Sequence, residues 1–314
     1  MDIKLCLLNF ISQIIFASCA YSVRHSRILA ENQHVDVEPK VIDVFMFNGE
    51  PMAFFRILYL KDVVDYFIVV EAGVTLSGKR KKTMYIDDFK SALFSPMVST
   101  GQLKPTRVSF PNNMLNMTMK DSSWVREAYL RDYGKKAALE IMGSSPFVMI
   151  VCDADELPSK EFIASLKANY TKLTQPMRMI MPFFYYSFKW RSEQQWTGAY
   201  VANDKFIRND NITLTQTRQG TNQINYLHQE WAGWHCSYCM TVKQIVRKLK
   251  SSPHTELDLP QFVDEAWVRK CRTEGIDLFN RAGHVLTKYM GRRGYPVCEE
   301  CKKLPDYKVL EIPI

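Results

Sequence analysis

Apolar residues fall into short blocks separated by polar turns, and the spacing within the blocks switches between strand and helix periods. Residues 41–47, Val-Ile-Asp-Val-Phe-Met-Phe, read as a strand, and Asn48-Gly49 turns the chain. Residues 50–60 predict an amphipathic helix with Phe54, Phe55, Ile57 and Leu58 on its apolar side. A second strand lies within 63–70 and stops at Glu71, and 106–110 offer a short third one. Ser123 is placed to cap a helix over 124–141. Residues 147–151 are a fourth strand, and Ser159 caps a further helix to 168. The apolar and aromatic stretch 177–188 predicts one or two strands, with helices again at 241–250 and 262–273. Strand, helix, strand, strand, helix, strand is the order of an α/β domain with a mostly parallel central sheet flanked by helices.

The most informative stretch is 147–158, Phe-Val-Met-Ile-Val-Cys-Asp-Ala-Asp-Glu-Leu-Pro. A buried strand delivers Asp153, Asp155 and Glu156 to its C-terminal end, where open α/β sheets bind ligands. Residues two apart on an extended segment share a side, so Asp153 and Asp155 can address one hard cation together. Glu156 faces the other way by the same rule, and a cap on the following helix competes with a direct role for it. Glu71 also falls just past an apolar strand and is expected at the same edge of the sheet. Acidic pairs also occur in solvated loops; the strand in front of this one favours the cation.

Composition bounds the setting. The chain has 314 residues, 46% hydrophobic and 24% charged, with a net charge of +8. The basic excess favours anionic partners without choosing among them. Lys4 followed by apolar residues up to Ala20, with small residues at 18–20, reads as a signal peptide or a short signal anchor over 1–20. Residues 21–38 are polar and read as a stem, leaving 39–314 as the folded domain. Sequons at Asn116, Asn169 and Asn211 agree with a secretory route and argue against a nucleic-acid partner. Of eight cysteines, Cys6 and Cys19 lie in the targeting segment. The pairs 236/239 and 298/301 could hold zinc, but the compartment favours disulfides. Cys152 in the core strand is expected as a buried free thiol, which leaves one other thiol unpaired.

Five blocks carry a resemblance. They are Asp43-Val-Phe-x-Phe-Asn48-x-Glu50, Asp62-Val-Val-Asp-Tyr-Phe-Ile-Val-Val-Glu71, Ser77-Gly78-Lys79, Asp153-Ala-Asp-Glu-Leu-Pro158 and Gly233-Trp-His-Cys-Ser-Tyr-Cys239. In this order the chain resembles glycosyltransferase family 17 over about residues 41–240. The resemblance implies a nucleotide-sugar transferase fold of the GT-A kind and a secretory, Golgi-luminal enzyme, type II membrane-anchored or secreted after cleavage. It further implies UDP-GlcNAc as donor, Mn2+ or Mg2+ as cofactor, and inversion. The acceptor would be a mannose of a glycoprotein N-glycan, linked β-1,4. Another donor or acceptor on the same scaffold, or an inactive carbohydrate-binding protein, are the alternatives. Leu76 stands where the family pattern has His, and the C-terminal third departs most, so acceptor choice does not transfer.

Candidate roles follow from the residues themselves, and for His235 from the resemblance. Asp153 and Asp155 hold the metal and donor, with Glu156 beside them. His235 is suggested as a third metal ligand; a buried His bonded in an aromatic pocket is the competing reading. Trp234 and Trp231 offer faces for a sugar ring, or are core. Arg131, or Lys135 four residues on, meets the donor phosphates, unless Glu127, Arg131 and Lys135 are only an ion-pair ladder. Lys79 is a second phosphate candidate. Asn48, Glu50 and Glu71 belong to the donor edge, with Glu71 toward the nucleoside. The base that inversion requires is not singled out among Glu230, Asp258, Asp264 and Glu265.

Overall fold

Strand β1 (Lys40–Met46) buries side chains on both faces, which is what places it inside a sheet covered on both sides. The computed structural model describes residues 38–115, 117, 122–221, 224–290 and 294–312. Residues 1–37, read above as a targeting segment and stem and including Cys6 and Cys19, and Asn116 with Thr118 of its sequon lie outside the described residues. Pro39–Ile314 form one compact unit.

Helix α1 (Pro51–Leu60) starts on Pro51, whose missing N–H costs nothing in a first turn. β2 (Tyr66–Ala72) and β3 (Leu103–Val108) follow, both parallel to their neighbours. Helix α2 (Ser122–Met142) then leads into β4 (Phe147–Val151), which pairs parallel with β1. A Cβ on Gly134 would lie 2.4 Å from Val44 Cγ1. Glycine there lets α2 settle closer on β1 than any side chain would allow. Ser123 lies inside α2 and does not cap it; its hydroxyl donates to the Pro253 carbonyl at 2.8 Å.

After β5 (Glu156–Pro158), helix α3 (Lys160–Ala168) is capped by Ser159, which accepts from the Phe162 N–H. β6 (Met177–Tyr185), β7 (Trp190–Trp196) and β8 (Tyr200–Asn203) follow. Next come helix α4 (Leu214–Gln219), β9 (Leu227–Glu230) and β10 (Gly233–Ser237). Helix α5 (Val242–Ser251), helix α6 (Glu265–Glu274) and β11 (Leu286–Lys288) complete the labelled elements.

The sheet runs β11-β7-β6-β8-β4-β1-β2-β3, with β9 and β10 paired to β6 and β5 paired to β10. β4, β1, β2 and β3 are parallel. β8 is antiparallel to β4 and β6 is antiparallel to β8, so β6 again points the way of β4. β10 is parallel to β6. The C-terminal ends of β1, β2, β4, β6 and β10 therefore share one edge, as expected for the ends of the parallel strands.

Strand alternation divides the core. Val41, Phe45, Phe67, Val69, Val148 and Ile150 pack under α1, while Ile42, Val44, Ile68, Val70, Phe147 and Met149 pack under α2. Each such side chain contributes about 1.5–3 kcal/mol by leaving water. Among the described residues no helix is long and apolar enough to cross a membrane. Disulfides join Cys236 to Cys239 and Cys298 to Cys301, and Cys152 and Cys271 are buried free thiols.

Candidate active site

A cavity of about 730 Å³ opens at the shared strand edge. At its centre is the turn after β4. Arg56 on α1 makes this turn: its buried guanidinium donates to the carbonyls of Asp153 at 2.8 Å and Glu156 at 2.6 Å. The same group is held by both carboxylate oxygens of Asp43 on β1. A fixed carbonyl scaffold thus sets where the acidic side chains point.

Asp153 faces the cavity with about a third of its side chain open. Its oxygens accept from Arg131 at 2.9 Å and from Arg218 at 2.7 Å. Burial raises its pKa, but Arg218 and Arg131 outweigh that and hold the carboxyl below the usual range. Asp155 also faces the cavity and accepts from Lys248 on α5 at 2.6 Å. Burial again opposes ionisation, and Lys248, with His235 beside it, more than offsets it, so Asp155 is a carboxylate at any working pH.

His235 comes from β10, which bonds along the turn through Cys236 N to the Asp155 carbonyl at 2.9 Å. Its Nε2 lies 3.1 Å from Ser237 Oγ and 3.7 Å from Asp155 Oδ1. The ring stacks on Phe183 at 4.5 Å, against Trp196. Nδ1 is buried without a partner among the described residues. The Asp155–His235 separation is too long for a hydrogen bond. It matches two donors each roughly 2.1 Å from one cation, which stand about 3 to 3.7 Å apart. Asp153 lines the same cavity, with its oxygens turned to Arg131 and Arg218. Among the described residues no group of three or more His, Cys, Asp and Glu side chains is placed to hold a metal. Asp155 and His235 fit a divalent cation whose other ligands come from phosphate and water.

Several sequence candidates lie elsewhere. Glu156 is fully buried; its carboxylate holds Arg218, the Trp196 indole N–H and the Asp153 N–H, and it does not line the cavity. It positions Arg218 and the turn. Glu71 is at the predicted edge but turned inward. Its oxygens are filled by Lys81 at 2.7 Å and the amides of Tyr85 and Ile86. Lys79 is exposed and bonds the Lys250 carbonyl and Asp258, away from the cavity. Trp234 alternates away from His235 along β10 and meets Tyr59 edge-on in the core. Lys135 donates to the carbonyls of Asn209 and Ile212. Trp231 does not line the cavity either, nor do Glu230, Asp258, Asp264 or Glu265; Asp264 caps α6 instead.

Asn48, Glu50 and Arg131 do line it. Asn48 donates to Ser251 Oγ at 2.7 Å, and Glu50 accepts from the Asn48 N–H. Arg131 joins Glu127 to Asp153, so the ion-pair ladder and the site are one structure. Sequence reasoning missed Arg56, Arg218 and Lys248. Arg56 carried a signal, a lone cation between Phe55 and Ile57 in an otherwise apolar helix. Arg218 and Lys248 sit among other polar residues and carried none.

A mixed sheet, parallel across β4, β1, β2 and β3 and antiparallel through β8, β6, β7 and β11, opens at its shared strand ends on a carboxylate pair braced by arginine and lysine, which defines an α/β protein with its site at that edge. The chain belongs to glycosyltransferase family 17, whose family model matches residues 16–287. It is 25% identical over 252 residues to the β-1,4-mannosyl-glycoprotein 4-β-N-acetylglucosaminyltransferase of Homo sapiens, covering 73% of this chain and 46% of that protein. The rat protein of that name gives the same identity with 45% of its length covered. The chain thus spans a little under half the length of these relatives. Among solved structures, a Bacillus anthracis protein assigned as a glucose-1-phosphate thymidylyltransferase is similar at TM-score 0.33 and 12% identity, over 62% of this chain and 87% of the other. A 4-diphosphocytidyl-2C-methyl-D-erythritol synthase from Anaerococcus prevotii gives 0.30 and 10%, over 62% and 90%.

Proposed function

We propose that the protein transfers N-acetylglucosamine from UDP-GlcNAc to a mannose of a glycoprotein N-glycan, with inversion and a β-1,4 linkage, in the lumen of the secretory pathway. Family membership and the names of the curated relatives support the reaction class and the sugar. The observation that carries the reading is that Asp155, His235 and Lys248 come together in the cavity, which Asn48 and Glu50 also line.

Loss of UDP from a sugar gathers negative charge on the diphosphate. Asp155 and His235 would hold a divalent cation, Mn2+ suiting the imidazole best, and that cation would supply Lewis-acid stabilisation of the phosphates. The chain's own groups do the rest. Lys248 neutralises Asp155 and presents a cation beside the phosphates. Arg131 and Arg218 keep Asp153 ionised and fixed, so it can accept hydrogen bonds from hydroxyls of the donor. Asn48 and Glu50 offer an amide and a carboxylate to the nucleoside.

The test is incubation of the purified protein with a panel of UDP-sugars, Mn2+ and neutral N-glycan acceptors, followed by mass spectrometry of the products. The reading expects a mass gain of one N-acetylhexosamine, lost by at least 100-fold in Asp155→Ala and Asp153→Ala. Undiminished turnover in both variants would overturn the assignment of the site.

A further inference from the structure

We propose that the Cys236–Cys239 disulfide is a positioning clamp for the cation site, and that it sets the approach of both His235 and Lys248 to Asp155. This role rests on the cation site of the proposed function. The bridge lies between the two elements that meet at Asp155. Cys236 follows His235 on β10, and Cys239 stands two residues ahead of Thr241, whose hydroxyl caps α5. Lys248 is on α5, with its Nζ 2.6 Å from one Asp155 oxygen. His235 Nε2 lies 3.7 Å from the other.

Strand alternation puts the sulfurs behind the site. Cys236 and Cys239 are buried in the core under α1, while His235, Ser237 and Tyr238 line the cavity. The energetics also favour a local task. A disulfide stabilises a fold mainly by closing a loop in the unfolded chain, and more so for long loops. This one joins residues only three apart in sequence. Its ring instead encloses a turn that the sequence resists. Tyr238 has φ +57°, in the left-handed region that bulky residues rarely adopt. Such strain persists only where the surrounding structure over-determines it.

Backbone bonds carry the clamp to the ligands. The Cys236 N–H donates to the Asp155 carbonyl at 2.9 Å, one residue from the imidazole, and the Tyr186 N–H donates to the Ser237 carbonyl at 2.9 Å. The Met240 N–H donates to the Tyr238 carbonyl at 2.7 Å and leads the chain into α5. With the bridge open, Tyr238 is free to return to negative φ, which turns the chain on both sides of it. The tolerance for that movement is small. The Asp155–His235 separation is already near the wide end of what two ligands of one cation span, so outward movement of His235 releases a donor.

The experiment uses the full chain in three forms: native, Cys236→Ala with Cys239→Ala, and Cys298→Ala with Cys301→Ala. The last is a matched control. Its bridge spans the same sequence separation, Cys301 packs into the same core, and neither of its cysteines lines the cavity. Mn2+ affinity is read by electron paramagnetic resonance without donor, beside Tm and the imidazole NMR signal of His235 in metal-free protein. Opening the clamp is expected to weaken Mn2+ binding about ten-fold or more, the usual cost of losing a group that orients a metal ligand. It should also split or broaden the imidazole signal. Opening the control bridge should lower Tm and change Mn2+ affinity less than about two-fold, as for an independent site. Cys239→Ser alone leaves all of β10 in place and serves as the milder variant should the double one fail to fold. Native Mn2+ affinity with a sharp imidazole signal in the opened protein, or an equal loss in the control, overturns the proposal. Native protein that binds no Mn2+ would sink the cation reading instead, and the imidazole signal alone then decides the clamp.

Discussion

Replacing Arg56 by methionine removes the one guanidinium that ties β1, α1 and the acidic turn together. The side chain is fully buried, as is that of Asp43, and methionine roughly keeps the apolar stem. Breaking a buried ion pair from one side costs about 3–5 kcal/mol, because the partner charge is left without compensation. The carbonyls of Asp153 and Glu156 each lose a charged donor as well. About 1 kcal/mol more is a modest figure for that loss. A total near 5 kcal/mol is comparable with the whole stability of a marginal domain. For a domain of this size it corresponds to a fall in Tm of about 10–20 °C. The assay is calorimetric melting of the native protein, Arg56→Met, Asp43→Leu and the double variant. If the cost is an orphaned charge, the double variant should recover at least half of the loss of the worse single one, a coupling of about 2 kcal/mol or more. Strictly additive losses would refute the reasoning.

Other outcomes follow from the same contacts. Glu71→Gln should cost about 3 kcal/mol by leaving the buried Lys81 unpaired, while UDP affinity stays within about two-fold on titration, because the carboxylate is saturated internally; a lost affinity at unchanged Tm would restore a donor role to Glu71. Gly233→Ala places a Cβ 2.1 Å from the Leu157 carbonyl oxygen and 2.7 Å from Pro158 Cα. Pushing β10 off β5 should destabilise by about 3 kcal/mol or more and displace His235 from Asp155, read as a lower Tm together with a weaker Mn2+ response; an unchanged melt would show that the strands yield cheaply. Glu156→Gln should lower Tm and leave a measurable turnover, since the group positions Arg218 and does not reach the cavity; complete loss of turnover at an unchanged Tm would give Glu156 a direct part.

The strand ahead of Asp153 was legible because five consecutive apolar residues ending in carboxylates leave few alternatives. The α/β order was legible from the same kind of pattern, and the compartment favoured disulfides over zinc, but which cysteines pair was not deducible from their spacing and is read from the structure. What failed was orientation. Glu71 ends its strand where expected, yet lies on the inner side, where Lys81 and two amides meet it. Trp234 and His235 are neighbours, and a strand sends neighbours to opposite faces; only one could reach the cavity. Position along the chain says which edge a residue reaches, while its face depends on register with strands distant in sequence. β7 to β10 were not delimited beforehand, because their pairing is set by β6 and β4 and leaves little local pattern. Arg218 and Lys248 reach the carboxylates from 62 or more residues away, a distance no local motif spans.

The central claim is that Asp155 and His235 share a divalent ion against the donor diphosphate. Crystals soaked with manganese and UDP, measured at the manganese absorption edge, test it most directly. The account predicts one anomalous peak within about 2.3 Å of Asp155 Oδ1 and His235 Nε2, with UDP phosphates on its open side and the base toward Asn48. UDP bound with no peak there, or manganese held by other residues, would contradict it.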